Sequence, residues 1–161
     1  MLVRRASWSY VSSSRSFSSF TSSSFLKCGD VLKQAQVFTD ADVLAYSRMS
    51  HDTNPLHFDP EWAKAAGFND RVVPGMLVAS LFPRTIASNF PGAVYVSQTL
   101  HFKLPVYIGE QIVGEIWTKN IKDLKTKHVA KFSTKCFKHD GSLVIDGEAT
   151  AILRNLKAEQ V

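Results

Sequence analysis

Ser50-His51-Asp52-Thr53-Asn54-Pro55-Leu56-His57-Phe58-Asp59 sets a carboxylate and an imidazole five positions apart around an Asn-Pro step. Proline pushes the residue before it out of helical geometry, so Asn54 ends any helix arriving from Asp40 and turns the chain before His57. Asp52 and His57 can then face one small volume. Adding or removing water beside a carbonyl needs one group to move a weakly acidic C2 proton and one to hold or protonate the oxygen at C3. A carboxylate and a histidine serve near neutral pH. Turn chemistry is the plainer reading of the same residues, since Asp and Asn beside proline are ordinary turn formers. A third reading makes His51, Asp52, His57 and Asp59 metal ligands. The phosphohydrolase kind of such a site needs a histidine further upstream, and none precedes His51. Neither a metal nor another cofactor is expected.

Outward from this stretch, Val31, Lys33, Ala35 and Val37 alternate as a first strand within Asp30 to Thr39. Thr39 or Asp40 can cap a helix through Met49 with Val43, Leu44 and Tyr46 toward the core. Downstream, Asp59 reads as the cap and Pro60 as the start of a short helix carrying Trp62, Ala63 and Ala66 and ending near Gly67, with His51 turned to solvent. Gly75 to Asn89 is the longest candidate for a buried helix, with Pro83 predicting a kink or an early end. From Ala93 the period becomes two. Val94, Val96, Leu100, Phe102 and Leu104 share one face; Ala130, Phe132, Thr134 and Cys136 oppose Lys131, Ser133 and Lys135; Leu143, Ile145, Ala149, Ala151 and Leu153 form a last inward row. Turn signals at Gly109-Glu110, Asn120 to Lys125 and Asp140-Gly141 separate four strands. One strand, then helices, then four strands is an α+β order.

Single residues carry further expectations. Gly75 opens the buried helix, where the first amides lack helical partners and the dipole favours negative charge, so its N–H can stabilise an oxyanion; close packing is the alternative reason for a glycine. Gln98 lies on an apolar face and needs a partner there, either a tie to the sheet or a substrate. Cys28 and Cys136 are too few for a disulfide framework or a zinc site, and Cys136 reads as core. His101, His128 and His139 have no matching acid nearby. The lysines from Lys119 to Lys138 form a solvated face or a docking surface for an acidic carrier.

The 161 residues, 45% hydrophobic, suit one domain. The formal charge of +5 is uneven: residues 1–27 hold Arg4, Arg5, Arg15 and Lys27 and no acid, which leaves only +1 for the rest. Nucleic-acid binding is therefore not expected of the domain, and no apolar run is long enough to span a membrane. Residues 1–27, with 11 serines in the first 24, read as an organellar transit peptide. Arg15-Ser16-Phe17-Ser18-Ser19 points to mitochondrial processing after Phe17, with a chloroplast leader as the alternative. Residues 28–161 are left as one domain.

Asp52, Asn54, Pro55, His57 and Asp59, followed by Ala63, Phe68 and Val72-Val73-Pro74-Gly75-Met76-Leu77, resemble the hydratase 2 motif of MaoC-like (R)-specific enoyl hydratases and dehydratases. Tyr95, Ser97, Gln98, Leu100, Phe102, Pro105 and Val106 extend the resemblance, which covers Phe38 to Leu153. One departure is visible, Pro74 where that family usually has histidine. The resemblance implies a hot-dog fold, a curved antiparallel sheet wrapped around a central helix, with Asp52 and His57 as the catalytic dyad and the Gly75 amide on the thioester oxygen. Asn54 and Gln98 would support the site or bind substrate. It further implies an (R)-specific 3-hydroxyacyl-thioester dehydratase forming trans-2-enoyl thioesters on acyl carrier protein in mitochondrial fatty acid synthesis, and a homodimer. The rival with the same chemistry is an (R)-specific hydratase of coenzyme A thioesters in β-oxidation. From another class, a non-catalytic acyl-binding or scaffold protein would not need both Asp52 and His57.

Overall fold

Thr39 begins the first helix through a reciprocal cap. Its side chain accepts from the Asp42 amide while the Asp42 carboxylate accepts from the Thr39 amide at 2.8 Å. The Thr39 hydroxyl also donates to the Asp42 carboxylate at 2.6 Å, and this bond, followed by the one from the Thr39 amide, holds the Asp42 carboxyl below its ordinary range. The computed structural model describes residues 25–157, so the transit-peptide expectation lies almost wholly outside the described residues. In chain order come β1 (Val31–Val37), α1 (Asp40–Ser50), a 3-10 turn (Pro55–His57), α2 (Pro60–Ala65), α3 (Gly75–Ala79), α4 (Leu81–Asn89), β2 (Val94–Phe102), β3 (Gln111–Leu124), β4 (Lys127–Lys138) and β5 (Leu143–Leu153). That is the expected order of one strand, helices and four strands. Phe25 also bridges to Lys157, and Leu26 is buried in the core.

The sheet is antiparallel in the order β1-β3-β4-β5-β2. It corrects the expectation of a curved sheet wrapped around a central helix: the fold is α+β and hot-dog-like, but the sheet is open, neither closed nor strongly curled. Two features explain the difference. Strands β1 and β2 are both edges, and α4 packs on β1 and β3, toward one side of the sheet. Nor is the helix continuous. Gly75 to Asn89 divides at Ser80, and the division places Pro83 in the first turn of α4, where its missing N–H has no helical bond to lose.

Period two holds along β4, where Ala130, Phe132, Thr134 and Cys136 are buried as read. Along β2 it fails, because the ladder to β5 slips between Tyr95 and Ser97 and leaves Val96 as an unpaired extra residue. Tyr95, Gln98, Leu100 and Phe102 therefore stand over Ala151, Ala149, Gly147 and Ile145 on the inner face, while Val94 and Val96 are exposed. In β3 the strand runs through Asn120 to Leu124, expected as a turn, by means of a similar slip at Thr118/Asn120. In α1, Leu44 is exposed and Ser47 is buried beside Val43. The Ser47 hydroxyl explains this, since it donates to the Asp52 carbonyl and holds that face of the helix to the turn that follows.

Candidate active site

The turn after α1 is built by its own side chains. His51 ends the helix in the left-handed conformation, φ 60°. The Asp52 Oδ1 then accepts the Asn54 amide at 3.2 Å, and Asn54 Oδ1 accepts the Leu56 amide at 3.2 Å. With Pro55 at its first position, the 3-10 turn swings His57 inward until it is only 8% exposed. Asp59 caps α2 through the Glu61 amide, and His51 is exposed, as read from the sequence.

One oxygen of Asp52 is thus engaged by the backbone, and the other, Oδ2, lies 3.7 Å from His57 Nε2. Too long for a hydrogen bond, this separation leaves both groups open to an oxygen placed beside them. Asp52 keeps 41% of its side chain exposed. On the far side of the ring, His57 Nδ1 is 2.7 Å from the Val72 carbonyl. A carbonyl only accepts, so Nδ1 carries a proton, and in the neutral ring Nε2 is the free acceptor. Val72 is itself fixed, its amide donating to Leu56 O at 3.2 Å and its strand-like bridge pairing with Tyr107.

His57 and Gly75 share a cavity of about 340 Å³. The rest of its wall is apolar, from Phe68, Val72, Val73, Val78, Phe102 and Val144 among others, except for Lys103. Gly75 is the first residue of α3, with Pro74 as the residue before the helix, so the Gly75 amide has no partner within the helix. Packing also demands glycine here: a Cβ would come within 2.9 Å of the Phe102 ring.

The structure therefore joins Asp52 to His57 and places Gly75 on the same cavity. Asn54 is exposed at the turn and shapes it. Gln98 is not among the cavity residues: its Oε1 accepts from the Tyr95 hydroxyl, and its Nε2 donates to the Thr99 carbonyl and to Thr134 Oγ1 at 2.9 Å. His128 does have an acid, Asp123 at 2.7 Å across the β3–β4 hairpin. Among the described residues no cluster of His, Cys, Asp and Glu could hold a metal. Two contacts of this region were missed in the sequence. The Val72 carbonyl carries no side-chain signal, and Phe102 was read as part of a strand face and of the family resemblance, with no place on the cavity wall.

Comparison with known proteins accords with this geometry. A family model described as "MaoC like domain" matches residues 27–136. The chain is 65% identical over 160 residues to "3-hydroxyacyl-[acyl-carrier-protein] dehydratase FERN, mitochondrial" of Solanum lycopersicum, covering 99% of this chain and 94% of that protein. It is 59% identical over 143 residues to "3-hydroxyacyl-[acyl-carrier-protein] dehydratase, mitochondrial" of Arabidopsis thaliana, covering 88% and 86%. Among solved structures, the (R)-hydratase from A. caviae involved in PHA biosynthesis superposes with a TM-score of 0.73 at 34% identity, covering 78% of this chain and 96% of that one. The chain belongs to the MaoC-like family of (R)-specific hydratases and dehydratases.

Proposed function

We propose that this protein removes water from (R)-3-hydroxyacyl groups carried on acyl carrier protein, in mitochondrial fatty acid synthesis, with Asp52 and His57 as the reacting pair. The chain is a hydro-lyase acting on acyl thioesters, and it is mitochondrial. Support for the carrier protein as partner comes from the names of the tomato and Arabidopsis relatives. The tomato match extends over 99% of the chain and so through its Ser- and Arg-rich N-terminal stretch. In this reading the transit peptide expected over residues 1–27 is shortened to end before Leu26, whose side chain belongs to the core.

The observation that carries the mechanism is the His57 tautomer. With Nδ1–H held by Val72 O, Nε2 faces Asp52 as a base. In dehydration Nε2 takes the C2 proton, and the electrons of that C–H bond form the C2=C3 double bond. The C3–O bond breaks, and the departing oxygen recovers the proton from Nε2 and leaves as water. Asp52 Oδ2 accepts a hydrogen bond from the 3-hydroxyl and keeps it next to the imidazole. Negative charge gathers meanwhile on the thioester oxygen, where the Gly75 amide donates. Asn54 supports the site by holding the turn, and Gln98 supports the sheet beside it. The acyl chain lies in the apolar cavity.

Turnover of matched (R)-3-hydroxyacyl substrates on acyl carrier protein and on coenzyme A tests the proposal. A higher kcat/KM on the carrier protein is expected. Preference for coenzyme A would overturn the carrier assignment, and no turnover on either would leave an acyl-binding protein.

A further inference from the structure

Phe102 is the last residue of β2 and stands over Ile145 of β5. The next amide, of Lys103, donates to the Val144 carbonyl at 2.8 Å, so the backbone on both sides of Phe102 is anchored. Its side chain is differently placed. The residue is 51% exposed, and the ring lies on the cavity wall with Cε1, Cδ1 and Cζ at 2.9, 3.2 and 3.3 Å from where a side chain at Gly75 would begin. The ring can turn about its own torsions while its Cα stays fixed. It also fills the space beside the Gly75 amide that any residue larger than glycine would take.

We infer that Phe102 determines which acyl chains the site accepts, by forming the adjustable wall past which the chain must run from the Gly75 amide into the cavity. The inference rests on the thioester reaction proposed above. With the carbonyl held at Gly75, the atoms beyond C3 pass alongside the ring on their way to the lining at Phe68, Val72, Val78 and Val144. A single methylene more or less in an apolar pocket changes selectivity by about 10- to 200-fold. A whole phenyl ring therefore has ample leverage over chain length.

The test compares kcat/KM for (R)-3-hydroxyacyl thioesters of four and ten carbons in the wild type, Phe102→Leu and Phe102→Ala, each checked for folding by its thermal midpoint. The ratio of long to short should rise at least tenfold in Phe102→Ala, chiefly through KM, and by less in Phe102→Leu. Should Phe102→Ala fail to fold, Phe102→Leu carries the test alone. Gly75→Ala keeps the amide but meets the ring, so it should lower kcat/KM for both lengths, and adding Phe102→Ala should restore much of the loss. An unchanged ratio in folded variants, or no rescue of Gly75→Ala, overturns the inference while an active wild type leaves the dehydratase reading standing. A wild type inactive on every thioester removes both.

Discussion

In the proposed reaction Asp52 and His57 divide the work according to how each is tethered. His57 is locked by Val72 O and buried, whereas Asp52 has one oxygen on the Asn54 amide and the other free. Asp52→Asn and His57→Ala should each lower kcat for dehydration by roughly 10² to 10⁴. Because both act on one hydroxyl in one transition state, the double variant should lose far less than the product of the single losses. Near-normal turnover in either folded single variant, or losses that multiply, would sink the assignment. Gln98 makes the opposite prediction. Gln98→Ala strips partners from the buried Thr134 hydroxyl and from Tyr95, so it should cost about 1–3 kcal/mol of stability with kcat within a few-fold. A fall in kcat with an unchanged thermal midpoint would reinstate Gln98 as a substrate contact. At this scale the meeting of Asp52 with His57 was legible in the sequence, because side chains mark both positions. The sequence was illegible at Val72, since every residue has a carbonyl and only tertiary placement selects one.

Among the elements, α3 shows how little the residue before a helix is constrained by the helix itself. Pro74 has φ −52° and ψ 128° and makes no side-chain cap, an extended geometry open to most residues. Pro74→His should therefore keep activity within about tenfold, because the Gly75 amide is untouched. Complete loss in a folded variant would mean that proline's fixed φ places that amide. Helix existence was readable here from apolar density, but the division at Ser80 was not, because Ser80 retains right-handed helical angles, φ −60° and ψ −16°. The strands behaved likewise. Alternation identified the buried row of β4 from Ala130 to Cys136, and failed in β2 where Val96 is inserted, since a bulge has no compositional mark in Tyr95-Val96-Ser97.

For the whole molecule, the helical layer over β1 and β3 leaves the inner face at β2 partly open. Tyr95, Gln98 and Leu100 are half-buried there, and among the described residues the β2 edge has no strand beside it, next to exposed Val94 and Val96. An edge with apolar neighbours invites a second copy. Light scattering on residues 25–161 should give twice the chain mass; a fully active monomer would remove the homodimer from the proposal. Alkaline stability offers a separate check. Burial raises the Cys136 thiol from 9.0 to about 12 and the Tyr95 hydroxyl from 10.0 to about 12. Both folded values exceed the unfolded ones, so their contribution is complete below pH 9 and is lost as pH climbs toward 12. The thermal midpoint should fall across that window, and less steeply in Cys136→Val; a flat profile would contradict the burial. Val96, finally, makes β2 unequal in its tolerance of shortening. Tyr95 opposes Ala151 and Ser97 opposes Thr150, consecutive partners on β5, so excising Val96 would leave a regular ladder with every other side chain facing as before. Excising Ser97 would do the same, with Val96 taking its place opposite Thr150, whereas excising a residue farther along, such as Leu100, would turn part of the strand over and send Gln98 to solvent. Along this strand, then, a one-codon loss is silent within the bulge and disruptive farther along.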